Sequence, residues 1–301
     1  FFLKDIFGFE LVEGHARRLT GPFGDEQVVG AYLSKLVFLS LSIFFVKDKT
    51  NTFLRYVYLI FISVVILASY ERAASIMMFA SLFLYLFIDK SINWRLKITL
   101  ISVAFIITVF MFYQNKGLKE HFVSKTAAQF GIAKFVSEEY AQTHADLDVG
   151  HSSFWDSQWG AHYLTGLAIF KKHKFFGSGL KTFRILCHFE LPDYSPKYLN
   201  IDSASSIHRC STHPHNFYIE ILSETGVVGL VLLLSFILTM FYKMFIRTIL
   251  RKNNYLIAPI FCSFFSIFWP IQTTGSFFST WAGSFPWLVI GFSAFLIMKK
   301  E

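Results

Sequence analysis

Charge is what this chain has least of. Its 301 residues carry 28 Lys and Arg against 20 Asp and Glu, so 16% are charged, where an average soluble protein has roughly 25%. Cysteine is scarce too, three in all, and proline numbers seven. These shortages exclude a disordered segment, a collagen-like repeat and a small fold stapled by a disulfide framework. No Gly-rich phosphate cradle of the GxxxxGKS/T type occurs, and no GxSxG or HExxH. Chemistry driven by a bound nucleotide therefore has no motif to rest on.

Apolar residues are what it has in excess. They make up 54% of the chain, with 38 Phe and a mean hydropathy of +0.48. No ordinary globular core hides that much apolar surface, so the composition predicts an integral membrane protein. Charge-poor runs stand at Val28–Val46, Phe53–Ser69, Ala73–Ile88, Ile98–Tyr113, Val227–Ile246, Leu256–Ile271 and Trp281–Met298. Each is near the ~17–25 residues that a helix needs to cross a bilayer. Barrel strands would alternate polar and apolar residues, and Ser63–Ser69 and Leu230–Leu234 do not. The expected fold is thus an all-α polytopic membrane protein with seven spans.

The short loops give an orientation. Lys47, Lys49 and Arg55 fall in one connection, Lys90, Arg95 and Lys97 in another, Lys243, Arg247, Arg251 and Lys252 in a third, and Lys299 and Lys300 at the end. All lie on one face, while the opposite connection, Gln272–Ser284, has no Lys or Arg. The positive-inside rule makes the basic face cytoplasmic. That placement accounts for much of the net charge of +8 and predicts a lipid bilayer, with no nucleic acid, as the partner. Four blocks follow: an outer segment 1–27, four spans in 28–113, a large periplasmic loop 114–216, and 217–301 with a short surface helix and three spans. The first residue is Phe, and the chain reads as the C-terminal part of a longer protein.

Inside the large loop, Ser157–His173 places Trp159, Tyr163, Leu164, Leu167 and Phe170 at helical spacing. Those side chains are expected to form the face that packs on the membrane domain or in the headgroups. Lys35 lies inside the first span and is expected to snorkel outward.

The most informative stretch is Thr212–Leu230, THPHNFYIEILSETGVVGL. Pro214 and Asn216 mark a helix start with Asn as N-cap. His215 then sits beside a helix N-terminus, whose positive dipole end disfavours imidazolium and leaves a neutral base. The same end suits a phosphate. Gly226 and Gly229 predict a kink or a close approach between a surface helix and the following span. Two alternatives stand beside this reading: a metal pair formed by His213 and His215, which lacks a Cys or carboxylate at ligand spacing, and a purely structural cap and kink with Glu224 far along the helix. Arg72 sits in a tight outward hairpin where the topology disfavours cations, so it is a functional candidate, against pairing with Glu71 or snorkelling. Arg17 and Arg18, and Arg184 and Arg209 of the large loop, add cations on the same side, and the guanidinium fork suits bidentate phosphate binding.

His215, Asn216, Gly226 and Gly229 spell H-N, nine residues, G, two residues, G, which resembles the signature of the O-antigen ligase and O-antigen polymerase superfamily. Arg18–Leu33 resembles that family's R-x-x-G-x-F-G segment, Ser69–Ala74 its Arg-bearing outer turn, and Phe175–Phe183 its late periplasmic G-x-G stretch. The resemblance covers nearly the whole chain in the expected order. It implies ten to twelve spans in the complete protein and a GT-C-like membrane bundle. It further implies a metal-independent glycosyltransferase without cofactor, moving a glycan from undecaprenyl diphosphate to a glycan or lipid A-core acceptor on the periplasmic face of the bacterial inner membrane. Under it His215 and Arg72 are catalytic, Arg17, Arg18, His213, Asn216, Arg209 and Arg184 bind substrate, and Gly226, Gly229 and Glu224 are structural. The polymerase is slightly preferred to the ligase; a protein O-oligosaccharyltransferase and a non-enzymatic transporter of lipid-linked glycan are the alternatives. A transporter needs ionisable residues near the mid-bilayer, whereas these cluster at the outer surface.

Of the three cysteines, Cys187 and Cys210 fall in the outer loop and Cys262 within a span. Only the first two share the oxidising compartment, so a Cys187–Cys210 disulfide is predicted.

Overall fold

The computed structural model describes residue 19 and residues 28–44, 52–130, 132–138, 154–190, 209–250 and 256–298. Each of the seven apolar runs forms a helix there: α1 Val29–Phe44, α2 Thr52–Ala68, α3 Arg72–Ile88, α4 Trp94–Gln114, then, beyond α5 Gln158–Lys172 and the short α6 Phe183–Leu186, α7 Phe217–Leu250, α8 Ile257–Phe268 and α9 Thr280–Met298. By length and composition α4, α7 and α9 are able to cross a membrane alone; α1, α2, α3 and α8 are apolar but shorter. The protein is an all-α polytopic membrane protein. Its chain divides into two compact units, one of Phe1–His121, Thr239–Trp269 and Trp287–Glu301, the other of Phe122–Leu238 and Pro270–Pro286.

In the first unit α1, α2, α3 and α8 pack together around Phe38, Leu59, Ile66, Met78, Tyr85 and Phe261. Lipid tails are as apolar as these side chains, so close van der Waals fit rather than removal from water holds the cluster. Gly30 is a point of closest approach, since a Cβ there would collide with the Ser69 hydroxyl. That approach lets the Glu71 carboxylate accept the main-chain N–H groups of Gly30 and Ala31 and so cap the start of α1. Lys35 lies within electrostatic reach of the same carboxylate. Arg55 departs from expectation. It is not a loop cation but a buried residue of α2 that donates to Ser91 Oγ at 3.1 Å. Around α4 nothing closes: Phe105, Ile106 and Phe110 are exposed, as a lipid-facing helix requires.

In the second unit α5 begins at Ser157, whose hydroxyl accepts the N–H of Gly160 at 3.2 Å. The face it buries within its own unit is the one lined by small residues. Gly160, Ala161, His162, Thr165, Gly166, Ala168 and Ile169 are buried, while Trp159, Tyr163, Leu164, Leu167 and Phe170 are only partly covered. The small residues decide this, because they allow backbone contact: a Cβ on Gly160 would stand 2.5 Å from the Phe154 carbonyl oxygen.

Candidate active site

Asn216 starts α7. Its Oδ1 accepts the N–H groups of Tyr218 (3.0 Å) and Ile219 (3.2 Å), a cap worth about 1 kcal/mol. Its Nδ2 donates to the carbonyls of Pro270 (2.9 Å) and Gln272 (3.3 Å). Four polar bonds thus consume the side chain, which makes Asn216 a clamp instead of the expected substrate ligand. Thr274 adds two stitches: its N–H donates to the His215 carbonyl at 2.8 Å, and its hydroxyl accepts from Phe217 N at 2.9 Å. One turn into α7 the buried Glu220 accepts from Phe277 N at 2.7 Å and from the Ser276 hydroxyl. The sequence reading passed over Glu220; an acid one turn before Glu224 in an otherwise apolar helix was the available signal.

This stitching holds His215 with φ 55, in the left-handed region that costs a non-glycine residue about 1–2 kcal/mol. Its ring is packed against three others: Trp159 edge-on with centroids 5.0 Å apart, His162 at 5.0 Å and His213 at 4.3 Å. Its Nε2 hydrogen-bonds Ser211 Oγ at 3.1 Å.

The neighbouring imidazoles have assignable tautomers. His213 Nε2 lies 3.1 Å from the Thr274 carbonyl, which only accepts, so Nε2 carries the proton and Nδ1 takes the Thr212 hydroxyl at 2.9 Å. Both nitrogens thus have protein partners, the Thr212 one at the surface. His162, absent from the sequence-predicted set, is 1% exposed. It donates Nδ1–H to the Arg209 carbonyl at 3.1 Å, leaving the Nε2 lone pair buried without a hydrogen bond.

Burial pulls all three histidines below the ordinary imidazole value. His215 goes furthest, down to about 3, first through burial and then through the charges that His213 and His162 would carry. The cluster is therefore neutral at physiological pH, and His215 offers a base rather than an acid.

Arg209 departs from expectation too. Its guanidinium is buried and donates to the carbonyls of Cys187, His188 (3.1 Å) and Glu190 (3.3 Å). It closes the C-terminal end of α6, its donors spent on main-chain carbonyls. Cys187 and Cys210 are joined by a disulfide with Cα atoms 5.3 Å apart, so bridge, guanidinium and the Arg209 carbonyl under His162 form one continuous support. Cys187, His188 and Cys210 are the described residues whose donor atoms converge closely enough for a metal ion, but two of those donors are spent on the disulfide. Arg184 is exposed on α6, within electrostatic reach of His213, Glu220 and Glu224.

The kink behind the cluster comes from Gly226, at φ 70 and ψ −169. There the FGSGL turn replaces the missing helical bonds. Ser178 and Gly179 N–H donate to the carbonyls of Ser223 and Glu224 at 3.0 Å each; Val227 and Val228 N–H donate to those of Lys174 (2.8 Å) and Phe175 (3.3 Å). The Glu224 carboxylate accepts from Lys181 N at 2.6 Å and Phe183 N at 3.0 Å. Gly229 sits one turn on, facing the Thr225 side chain. Arg72 belongs to the first unit, at the start of α3 and partly buried. Arg17 and Arg18 lie outside the described residues.

Residues 57–234, more than half of the chain, match the family model described as O-antigen ligase. No curated protein and no solved structure matches.

Proposed function

Because this chain belongs to the O-antigen ligase family, whose business is glycan transfer in envelope polysaccharide synthesis, we propose that it moves a glycan from undecaprenyl diphosphate to a hydroxyl acceptor at the periplasmic face of the inner membrane, without a metal. The observation that carries this reading is the neutral imidazole of His215, held in a strained backbone conformation at the start of α7 and ringed by Trp159, His162 and His213. In the reaction the acceptor O–H gives its proton to His215 while its oxygen attacks the anomeric carbon. The bond from that carbon to the diphosphate oxygen breaks, and the carrier diphosphate departs with the electron pair. An imidazole as reluctant to ionise as His215 holds that proton only when an anion is near. The diphosphate supplies the anion, so the base acts only when the donor is in place. Arg72, Arg18 and Arg184 are the cations proposed for the departing diphosphate.

Within the family we favour a polymerase slightly over a ligase. Deleting the gene and resolving the surface glycan on a gel tests both. Single repeats left attached to the core identify a polymerase; long chains stranded on the carrier lipid identify a ligase. An unchanged glycan, with unchanged lipid-linked intermediates, overturns the proposal.

A further inference from the structure

The turn that splints the kink also carries an exposed surface of its own. Ile169, Phe183 and Cys187 point inward as a small core. Phe175 and Phe176 point out, 70% and 79% exposed, with Leu180, Ile185 and Phe189 exposed beside them in the chain. The same stretch, Lys171–Glu190, contains Lys171, Lys172, Lys174, Lys181 and Arg184 and a single acid, Glu190, which pairs with Lys172. The acids packed behind it, Glu220 and Glu224, are buried and bonded to main-chain N–H groups. Its outward side is therefore aromatic and basic at once.

Its place along the span is fixed by hydrogen bonds. Lys174 and Phe175 carbonyls accept from Val227 and Val228, the residues at which the apolar run of α7 begins and at which its side chains turn out to the surroundings. Aromatic rings with cations at the end of a hydrophobic span are the composition of a headgroup belt. A large apolar patch left to water would be a liability. We propose that Lys171–Glu190 is an interfacial anchor, its Phe175, Phe176 and Leu180 seated at the headgroup level and its Lys174 and Lys181 binding the phosphates of anionic phospholipids where α7 meets the bilayer. The anchor would hold the turn, and through Glu224 and Gly226 the kink, at a set depth. This inference stands whatever the transferred group is.

The test uses the full chain, with Cys262→Ser, reconstituted in phosphatidylcholine vesicles with phosphatidylglycerol. A fluorophore is placed by Phe176→Cys or, as an independent site, Leu180→Cys, with Glu138→Cys as an exposed reference. Nitroxide at the headgroup should quench positions 176 and 180 and spare 138, with aqueous iodide doing the reverse. Quenching should be stronger from nitroxide-bearing phosphatidylglycerol than from nitroxide-bearing phosphatidylcholine. That preference should fall about fivefold per lysine removed in Lys174→Gln and Lys181→Gln. Iodide reaching 176 and 180 as freely as 138 would overturn the anchor. Equal quenching by the two lipids would overturn its preference for anionic headgroups.

Discussion

Gly177 and Gly226 cross backbone against backbone: a Cβ on Gly226 would lie 2.6 Å from Gly177 N and collide with the Phe175 carbonyl. Both have positive φ, 71 and 70. Neither neighbour is a flexible side chain able to swing away. Gly226→Ala should therefore cost about 3 kcal/mol or more and lower the melting temperature and membrane abundance. Gly291→Ala, in α9 with nothing within 4 Å of its added methyl, should be neutral. Equal behaviour of the two variants in detergent melts would contradict the close crossing.

His215→Ala should abolish glycan transfer at unchanged membrane levels, since its side chain makes one hydrogen bond, to Ser211. Transfer at the wild-type rate by equal amounts of the variant would remove it from the chemistry. Loss of the protein itself would mark it as a structural cap.

The stability contributed by the histidine cluster should fall on acidification. The folded cluster lowers proton affinity, His215 from 6.5 to about 3, so between those values the unfolded chain binds more protons than the folded one. Stability contributed this way is complete above 6.5 and is lost as pH drops towards 3. Glu220, raised by burial to about 7, works in the opposite direction in the same range, so the test is a difference: from neutrality to about pH 5 the melting temperature of the wild type should fall relative to that of a His162→Phe, His213→Phe, His215→Phe variant. Parallel curves would show that other groups dominate.

Arg72→Ala should raise the donor concentration needed for half-maximal transfer, with Arg72→Lys recovering only part, because a point charge cannot bind two oxygens as the fork does. Donor dependence unchanged in both variants, measured on reconstituted protein, would assign Arg72 to the membrane surface alone.

Breaking the Cys187–Cys210 bridge should loosen Arg209 and with it the carbonyl under His162. Cys187→Ser with Cys210→Ser should lose about 3 kcal/mol, the chain-entropy value for a loop of this size, and should lose transfer before it loses the spans. Alkylation and mass spectrometry of unreduced wild type should find only Cys262 free.

The membrane helices were legible because each is a continuous apolar run, a signal that survives without knowledge of neighbours. So were the elements local to the motif: the Asn216 cap, the Gly226 break and the position of His215 just before the helix start. What escaped are features made by distant partners. His162 drew no notice in the sequence, because nothing local marks it; the small residues beside it on α5, Gly160, Ala161 and Gly166, are what let the backbone come close. Arg209 and Asn216 resembled ligand-binding side chains until carbonyls 19 to 22 and 54 to 56 residues away were seen to occupy them.

The stitching of α7 to the segment at Thr274–Phe277 also sets a timetable. Asn216, Phe217 and Glu220 meet partners that are 54 to 57 residues later in the chain, beyond α8. During synthesis the ribosome must deliver that segment before the start of α7 has anything to close on. Until then nothing pins His215 at its costly backbone angle: a helix start made early in the chain waits on a segment made much later.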